Sequence, residues 1–264
     1  MHVQYIANFC GWYTNRLLLC GDDAAQPRKM SQTSLRDIDM CGRLDQNDIN
    51  RLLENFDWVE EVINRSTAEG RFNVSPGTVR PVIHVTDQGL VMDDLFWGYR
   101  SPWAEATGTV PIASNAKFEK VKGSYWKPLL KRGRAIAPAA GWYEWTGEKP
   151  HKQPWHIHRA DGKPLYLAAL ASFESKGDYK GATGFALVTS EAEGGLLDIH
   201  DRRPLVLSAQ DAMTWLDPAI PPEEAAEFLR VAALPPDAFS WYQVDRAVGN
   251  VRNQGAHLAA PLES

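Results

Sequence analysis

The chain has 264 residues, 44% of them hydrophobic, which is enough for one large domain or two small ones with a buried core. A formal net charge of −5 argues against a protein that holds nucleic acid by bulk attraction, although a local basic patch is compatible with it. The three cysteines, Cys10, Cys20 and Cys41, have neither metal-ligand spacing nor the pairing of a disulfide framework, which argues against a zinc site and favours a reducing, intracellular setting.

Residues 1–39 are predicted to precede the folded domain, either as a disordered extension or as an artefact of the choice of start site. Met30 and Met40 offer later starts, and the Gly, Asp, Gln and Pro residues of 21–29 fit a linker. The apolar run at 17–20 lacks the basic head and the length of a signal core, and no apolar run reaches the length of a membrane span. We therefore expect a cytoplasmic protein without a membrane partner.

The first predicted element of the domain is an amphipathic helix over 46–64, where apolar residues recur at spacings of three and four. A rigid turn that contains Pro and Gly follows at 71–78. Strands over 79–85 and 89–97 are then expected to pair around a turn at 87–89.

The second half of the chain is predicted to hold more strands than helices. Asp161-Gly162 reads as a tight hairpin connection between two strands, and Ser208 reads as the N-cap of a helix. The predicted elements are a helix near 116–132, strands over 134–145, 153–159, 165–173, 184–189 and 240–244, and helices over 209–216 and 222–232.

Short connections between these strands leave no room for the helical crossovers that parallel pairs need, so the strands are predicted to be mostly antiparallel. The fold class is therefore α+β. We expect a single domain over 40–256 with a mostly antiparallel, barrel-like β core flanked by helices, and a C-terminal tail over 257–264.

The dipeptide Met40-Cys41 carries a distinct chemical possibility. If the chain starts at Met40 and that residue is removed, Cys41 presents an amine and a thiol on adjacent carbons. Such a pair condenses with an aldehyde, first to an imine and then to a five-membered thiazolidine. The nitrogen of an internal cysteine is tied up in an amide, so this chemistry requires that 1–39 be removed or never be part of the native product.

Two further segments carry residues suited to proton transfer. Glu144 lies between aromatic residues in a strand-like run, where burial would bring it towards the working range of a general acid or base; an exposed strand carboxylate is the alternative. His200 lies beside Asp201 and two arginines, where it could relay a proton or stabilise an alkoxide. There Arg202 or Arg203 could grip a phosphate; a salt-bridged turn is the alternative.

A basic run extends from Asn115 to Arg134, with Glu119 as its single acid and with Tyr125 and Trp126 among the bases. Basic residues interleaved with aromatics suit a nucleic-acid single strand whose bases are unstacked. The alternative is a solvated helix face plus two core aromatics, because charge runs are usually surface. The segment alone leaves both interpretations open.

Seven motifs follow one another along the chain: Met-Cys-Gly-Arg at 40–43, Arg-Phe-Asn-Val-Ser-Pro-Gly at 71–77, Phe-Trp-Gly at 96–98, Asn-Ala at 115–116, Gly-Trp-Tyr-Glu-Trp at 141–145, Ile-His-Asp-Arg-Arg-Pro at 199–204 and Ala-Val-Gly-Asn-Val-Arg-Asn at 247–253. In content and order they resemble the SOS response-associated peptidase (SRAP) family, whose members cross-link to abasic sites in single-stranded DNA. The resemblance spans residue 40 to about residue 256 and implies the SRAP fold.

The resemblance implies roles for four site residues. Cys41 resembles the catalytic cysteine that becomes N-terminal and forms a thiazolidine with the aldehyde of a ring-opened abasic deoxyribose. Asn115 is implied to orient the sugar or the amine of the cysteine, and Glu144 to help open the sugar ring and move protons. His200 is implied to handle the sugar hydroxyl and to assist release of the cross-link.

The resemblance also implies residues that hold DNA. Arg43, Arg202 and the segment around Asn73 and Pro76 resemble positions that hold the strand backbone near the lesion. Trp103 resembles a wedge that stacks against neighbouring bases.

The chain departs from the family's pattern at one of these positions. The usual Asn-Ala-Arg is Asn115-Ala116-Lys117 here, so that Lys117 replaces a planar fork for phosphate with a point charge. The implied partner is single-stranded DNA with abasic sites, bound by a monomer that uses no metal and no cofactor and that is associated with the nucleoid when on DNA.

Two other functions remain open. An N-terminal-cysteine hydrolase of the glutamine amidotransferase type also begins Met-Cys-Gly, and its amine serves as base for its own thiol. A non-catalytic reader of modified or single-stranded DNA would use the basic run and need no free N-terminus. We predict the cross-linking function, with aminopeptidase removal of Met40 or cysteine-type autoproteolysis before Cys41 as the two routes to a free amine.

Overall fold

β-Strands make up most of the regular structure of this protein. A computed structural model describes residues 41–54, 62–108, 110–173 and 183–263, all of which belong to one compact unit, Arg36–Ser264. The prediction for residues 1–39 lies outside the described residues. The strands are β1 (Leu44–Gln46), β2 (Ile63–Asn64), β3 (Arg71–Val74), β4 (Val79–Thr86), β5 (Gly89–Phe96), β6 (Asn115–Lys117), β7 (Arg134–Ala139), β8 (Gly141–Thr146), β9 (Gln153–Arg159), β10 (Leu165–Ser172), β11 (Gly184–Glu191), β12 (Arg202–Pro204), β13 (Val206–Leu207) and β14 (Phe239–Gln243).

The helices are short and lie between groups of strands. Single turns of 3-10 helix add to them and shape several loops near the ends of strands. The α-helices are α1 (Ile49–Glu54), α2 (Pro102–Thr107), α3 (Lys127–Arg132), α4 (Ala209–Leu216) and α5 (Pro222–Ala232), and the 3-10 turns are Phe118–Lys120, Gly194–Asp198, Pro236–Ala238, Arg246–Gly249 and Ala256–Ala259.

The described strands form two sheets. The five-stranded sheet has the order β14-β9-β8-β1-β3, and the nine-stranded sheet has the order β12-β11-β10-β7-β4-β5-β2, with β13 beside β10 and β6 beside β11. Only the pairs β2–β5 and β6–β11 are parallel among these described strands. The predicted α+β class with mostly antiparallel strands is confirmed, and its β core consists, in the described part of the chain, of two sheets and not of a closed barrel.

Apolar residues cover both faces of the nine-stranded sheet. Along β10, Leu167 belongs to a buried cluster that also contains Trp142 of the other sheet, so this cluster joins the two sheets. On the opposite face, Leu170 belongs to a cluster that includes Trp215 of α4. Strand β10 is therefore buried on both sides, which explains its nearly continuous apolar sequence.

The predicted elements with strong local signals are confirmed. Helix α4 begins after Ser208, whose hydroxyl accepts a hydrogen bond from the Asp211 amide at 3.1 Å, as an N-cap does. Helix α5 begins behind Pro221 as predicted, and β4 and β5 form the predicted antiparallel pair.

Two predicted helices are wrong in extent. Helix α1 covers only part of 46–64, because Gln46 ends β1 and Ile63 begins β2; residues 55–61 lie outside the described part. The predicted helix near 116–132 contains the end of β6, a 3-10 turn and only the short α3. In both segments pairing with distant strands outweighs a local helical periodicity.

The chain changes sheets twice where the sequence indicated continuity. The segment 134–145, predicted as one strand, bends at Ala140, whose amide donates to the Asp45 carbonyl at 2.8 Å, and it divides into β7 and β8 of different sheets. The hairpin predicted at Asp161-Gly162 is wrong, because β9 pairs with β8 and β14 whereas β10 pairs with β7 and β11. The turn exists, but it connects the two sheets.

The packed part of the chain reaches past residue 256. Leu258 is fully buried in a third apolar cluster that contains Tyr143, Val244 and Val248. This cluster lies behind the segment of β8 that carries Glu144. No helix in the described residues is both long and apolar enough to cross a membrane.

Candidate active site

Cys41 lies next to Glu144 at the beginning of β1. Strand β1 runs beside β8, with Leu44 opposite Trp142, and this register brings the residue before Gly42 to the middle of β8. The backbone nitrogen of Cys41 donates a hydrogen bond to Oε1 of Glu144 at 3.0 Å. Cys41 has a positive φ of 47°, a conformation that residues other than glycine adopt rarely.

Both partners of this contact are buried. Cys41 is 1% exposed and Glu144 is 2% exposed, so the interpretation of Glu144 as an exposed strand carboxylate is wrong. The flanking Trp142 and Tyr143 are also buried. Glu144 is thus a desolvated carboxylate whose oxygen contacts the one backbone nitrogen that the proposed chemistry would use.

The pKa of the Cys41 thiol is raised well above its usual value. Burial is the largest cause, followed by the negative charge of Glu144 and a hydrogen bond to it. Arg202 opposes the shift, and Asp201 adds to it. At neutral pH the thiol therefore carries its proton, and an attack by sulfur requires a base that removes this proton.

His200 lies two residues before Arg202, at the end of a loop that leads into β12. Its Nδ1 atom accepts a hydrogen bond from the Arg202 amide at 3.0 Å and is 2.9 Å from Oδ1 of Asp201. Nδ1 cannot accept from Arg202 while it donates to Asp201. A neutral ring that accepts from the Arg202 amide carries its proton on Nε2 and can donate from there, whereas a ring that donates to Asp201 carries a proton on Nδ1.

The guanidinium of Arg202 is held by an acid. Its Nη1 and Nη2 atoms bind the two oxygens of Glu119 at 2.9 and 3.1 Å, and Nη2 also donates to the Thr189 carbonyl at 2.7 Å. Arg202 is 6% exposed, whereas the Glu119 side chain is 47% exposed. Because of the hydrogen bond from Arg202, the pKa of Glu119 is lowered.

Asn115 and the Glu119–Arg202 pair are connected through β11. Strand β6 runs parallel to β11 with Asn115 opposite Leu187, and β12 pairs with the following part of β11, where Arg202 is opposite Glu191. Asn115 is half-buried and Lys117 is exposed. The structure thus places Asn115 on a strand bound to the same partner as the strand of Arg202.

A cleft of about 600 Å³ opens beside these residues. It brings together Gly42 and Arg43 after the cysteine, Pro76 of the β3–β4 turn, and His200. No Asp or Glu is among the described residues that line it, whereas cations from three separate segments are. Its lining residues are Gly42, Arg43, Ser75, Pro76, Trp145, Lys149, Pro150, Lys152, His200, Arg246, Gly249 and Val251.

Asn73 anchors one wall of this cleft. Its side-chain oxygen accepts from Nη1 of Arg43 at 2.7 Å, and its nitrogen reaches the carbonyls of Val248, Asn250 and Asn253 at 3.0 to 3.1 Å. The same Arg43 atom donates to the Val248 carbonyl at 2.6 Å. The buried Asn73 therefore contacts protein groups and fixes the segment 248–253 against Arg43.

Trp103 lies on α2 and belongs to a different pocket. It is 58% exposed and meets the ring of Tyr125 edge to face at 5.9 Å. A pocket of about 270 Å³ lined by Trp103, Tyr125 and Arg132 adjoins them. Of the ten residues predicted for the site, Arg43, Pro76 and His200 line the main cleft, and Cys41, which contacts Glu144, directly precedes Gly42 of its lining.

Sequence reasoning missed four charged residues of the site. Glu119 was counted only as the lone acid of a basic run, and the cleft cations Lys149, Lys152 and Arg246 were not selected at all. A usable signal was present for the cations. Lys149 and Lys152 lie in the loop that follows the 141–145 motif, and Arg246 immediately precedes the motif at 247–253.

Two cations of the basic run at 115–134 form ion pairs with glutamates. Lys122 binds Glu227 at 3.1 Å, and Lys127 binds Glu223 at 3.0 Å, both on α5. Within the described ranges no group of three or more His, Cys, Asp or Glu side chains is arranged to hold a metal ion.

Comparison with known proteins gives one consistent result. The sequence model of the family described as SOS response associated peptidase (SRAP) matches residues 40–251. Abasic site processing protein YedK of Escherichia coli is 44% identical over 231 residues, which are 84% of this chain and 100% of that protein. Abasic site processing protein YoaM of Bacillus subtilis is 27% identical over 229 residues, with 83% and 97% of the two chains covered.

The folds agree as well. The crystal structure of a phage-related protein from Bordetella bronchiseptica is similar with a TM-score of 0.66 at 38% identity, and the match covers 78% of this chain and 95% of that one. A protein of Bacteroides thetaiotaomicron has the same TM-score at 18% identity, with 84% and 99% covered, and so shares the fold.

Proposed function

The chain belongs to the SRAP family, and from this premise we propose that it captures abasic sites in single-stranded DNA by a covalent bond to Cys41. Two relatives that match this chain over almost their own full length are named abasic site processing proteins. The observation that carries the proposal is the contact of 3.0 Å between the Cys41 nitrogen and the buried carboxylate of Glu144. A general acid–base is thereby positioned at the atom that would attack an aldehyde.

The reaction begins at the nitrogen. In a chain that starts at Cys41, the free amine adds to C1 of the ring-opened deoxyribose and forms a carbinolamine. Loss of its hydroxyl as water gives an imine. Glu144 accepts a proton from the attacking amine and returns one to the departing hydroxyl, since its oxygen lies within hydrogen-bond distance of the nitrogen.

The second bond forms at sulfur. The thiol adds across the carbon–nitrogen double bond, its proton passes to the nitrogen, and the five-membered thiazolidine closes. The overall reaction joins one aldehyde to one cysteine and releases one water. Because the raised pKa keeps the Cys41 thiol protonated, sulfur follows nitrogen, and Glu144 is the adjacent base for this proton also.

His200 and Asn115 act on the sugar in this proposal. His200 lines the cleft and, with Nδ1 accepting from the Arg202 amide, presents Nε2 as a donor to the sugar hydroxyl. Asn115 orients the ring-opened sugar or the amine through its amide. Arg43, Pro76, Lys117 and the segment that Asn73 anchors hold the strand near the lesion. Trp103 stacks on neighbouring bases.

The free amine arises by one of two routes. Aminopeptidase removal of Met40 from a chain begun there exposes it directly. Alternatively the thiol of Cys41 attacks the Met40 carbonyl, the carbon–nitrogen bond breaks with a proton passing to the amine, and water hydrolyses the resulting thioester. The second route is the cysteine-type peptidase activity, and Glu144 again supplies the proton at the Cys41 nitrogen.

The test compares two chains with one oligonucleotide that carries an abasic site. The family match covers residues 40–251, which lie within the compact unit Arg36–Ser264 and make up most of it, so a chain begun at Met40 is a suitable protein. After loss of Met40, we expect this chain to form an adduct that survives heat and denaturant. The mass of the adduct should equal the mass of the chain beginning at Cys41 plus that of the oligonucleotide, less one water. Cys41→Ala and Cys41→Ser must give no thiazolidine; equal capture by Cys41→Ala refutes the proposal.

The full-length chain distinguishes the alternatives. Reversible, salt-sensitive binding without any covalent product in both chains would indicate a non-catalytic reader. Release of ammonia from glutamine would indicate an amidotransferase. If full-length protein forms the adduct only after its mass falls to that of a chain beginning at Cys41, autoproteolysis is the route to the amine.

A further inference from the structure

We propose that Glu119 is a positioning residue of the site, which holds the guanidinium of Arg202 against β11 and thereby fixes the ring of His200. The inference rests on the proposed function and extends it to a residue that lies outside the cleft lining. Glu119 belongs to the 3-10 turn Phe118–Lys120, which directly follows β6.

The geometry of the clamp is the first argument. Both oxygens of Glu119 bind the two terminal nitrogens of Arg202 in a two-pronged pair, which is the most directional contact available between these groups. A third bond, from Arg202 to the Thr189 carbonyl, closes the arrangement against β11. The terminal nitrogens are therefore engaged with protein on both sides, by Glu119 and by β11.

The location of the clamp is the second argument. Thr189 is the residue of β11 that pairs with Lys117 on β6 and with Pro204 on β12. Glu119 follows the first of these strands, and Arg202 begins the second. The ion pair thus ties the strand of Asn115 to the strand that follows His200, so that the two sugar-contacting residues keep a fixed separation.

The link to His200 is the third argument. The amide of Arg202 is the group that donates to Nδ1 of His200 at 3.0 Å. A displacement of Arg202 moves this donor and releases the constraint on the proton of the ring. His200 would then lose the orientation in which Nε2 is the donor to the sugar.

The charge of Arg202 is the fourth argument. Cys41 contacts Glu144 from β8, and the charges of Asp201, Arg202 and Arg203 from the loop and strand around β12 also act on its thiol. The charge of Arg202 lowers the pKa of the thiol, against the rise caused by burial and by Glu144. Arg202 is buried, and a buried cation that loses its counter-ion moves towards water, because an uncompensated charge in the interior is very unfavourable.

The experiment uses the chain begun at Met40, in which Cys41 is the only cysteine because Cys10 and Cys20 are absent. Glu119→Ala removes the clamp, and Glu119→Asp retains the charge on a shorter side chain. Glu227→Ala is the matched control, since Glu227 also binds two cations, Lys122 and Arg230, but lies on α5. Three quantities are measured: the pH midpoint of thiolate formation from ultraviolet absorbance, the saturating rate of adduct formation, and the DNA concentration at half saturation.

For Glu119→Ala we expect the thiolate midpoint to move up by about half a pH unit, because Arg202 leaves the thiol. The saturating rate should fall about tenfold, since the two sugar-contacting residues lose their relative position. The concentration at half saturation should change less than about twofold. Glu119→Asp should recover part of the rate, and Glu227→Ala should match the parent in all three quantities.

Other results overturn the proposal. If the thiolate midpoint of Glu119→Ala moves to lower pH, Glu119 only neutralises the charge of Arg202 and does not hold its side chain in place. Tighter DNA binding together with a faster rate would show that Glu119 competes with phosphate for Arg202. Loss of stability with an unchanged midpoint and rate would reduce Glu119 to a structural ion pair. If the parent chain forms no adduct, the proposed function fails, whereas the thiolate midpoints still test the clamp.

Discussion

Glu144 acts on both reactive atoms of Cys41. Its oxygen accepts the hydrogen bond of the nitrogen, and its charge together with a hydrogen bond to the thiol raises the pKa of the thiol. A carboxylate between these atoms favours a protonated sulfur while it draws a proton from the amine. In the proposed reaction, nitrogen therefore reacts first, because little thiolate is present to compete for the aldehyde.

Replacement of Glu144 by Gln tests both effects of this carboxylate, the proton transfer at the Cys41 nitrogen and the raised pKa of the Cys41 thiol. The amide retains the size of the side chain but has no charge and cannot accept and return a proton. We expect the rate of adduct formation to fall about a hundredfold. We also expect the thiolate midpoint of Cys41 to move to lower pH, because the charge that raises the pKa of the thiol is gone.

Single-turnover kinetics and thiolate absorbance measure these two effects on one preparation. Glu148→Gln is the control, because Glu148 is exposed in the loop after β8. An unchanged rate with a lowered midpoint would assign the proton transfer to another group and leave Glu144 with an electrostatic role only.

Among the elements, strands β8 and β9 leave no room for a side chain at Gly141. A Cβ atom at Gly141 would lie 2.4 Å from Nε2 of His156 and 2.8 Å from the Ile157 carbonyl. The His156 ring has little room to move, since it is buried and its Nε2 atom is 3.2 Å from Oδ2 of the buried Asp45. Glycine at the start of β8 is therefore a requirement of sheet packing and of the strand register that brings Glu144 to Cys41.

Gly141→Ala should accordingly destabilise the protein by about 2–3 kcal/mol, in the range of overpacked cores. Gly249→Ala is the matched control, because a Cβ there meets no atom within 4 Å and the backbone is not in the left-handed region. Urea unfolding followed by tryptophan fluorescence gives both free energies. Equal stability of the two variants would contradict the packing argument for Gly141.

Local chemistry decides which elements the sequence predicts well. Helices α4 and α5 carry their own start signals, a Ser208 cap and a proline pair, and they fold as expected. The Asp161-Gly162 turn also forms, but a turn signal contains no information on which sheet receives the next strand. The pairing of β10 with β7 is set by burial on both faces of a sheet, which no segment encodes alone.

The same distinction applies to the candidate site. Cys41, Glu144 and His200 were selected because each lies in a segment whose polar residues exceed what a strand or turn needs. Glu119 could not be predicted as a site residue, because its partner Arg202 is 83 residues away in the chain. Only the pairing of β6 and β12 with β11 brings the two residues together. A residue that acts through a long-range contact has no local signature.

At the scale of the whole molecule, charge is separated between surfaces. The chain has a formal net charge of −5, yet the described residues of the cleft lining include Arg43, Lys149, Lys152 and Arg246 and no acid. Conversely, the basic run from Asn115 to Arg134 is partly neutralised by glutamates of α5. For the proposed DNA substrate, this distribution means attraction to the cleft against an overall repulsion, so we expect association to be sensitive to salt.

This separation predicts where the strand lies. Two double variants are compared in a Cys41→Ala background, which leaves reversible binding only. Lys149→Gln with Arg246→Gln removes exposed cations of the cleft, and Lys122→Gln with Lys127→Gln removes the same charge from the basic run. Binding to a single-stranded oligonucleotide is measured as a function of salt concentration.

Each phosphate contact contributes about 0.7 to the slope of log K against log salt for a single strand, so loss of two contacts should reduce the slope by about 1.4. We expect this reduction for the cleft pair and little change for the basic-run pair, whose lysines already bind Glu227 and Glu223. The reverse result would place the strand along 115–134. Because both pairs change the net charge equally, a difference between them reports the path of the strand and not bulk attraction.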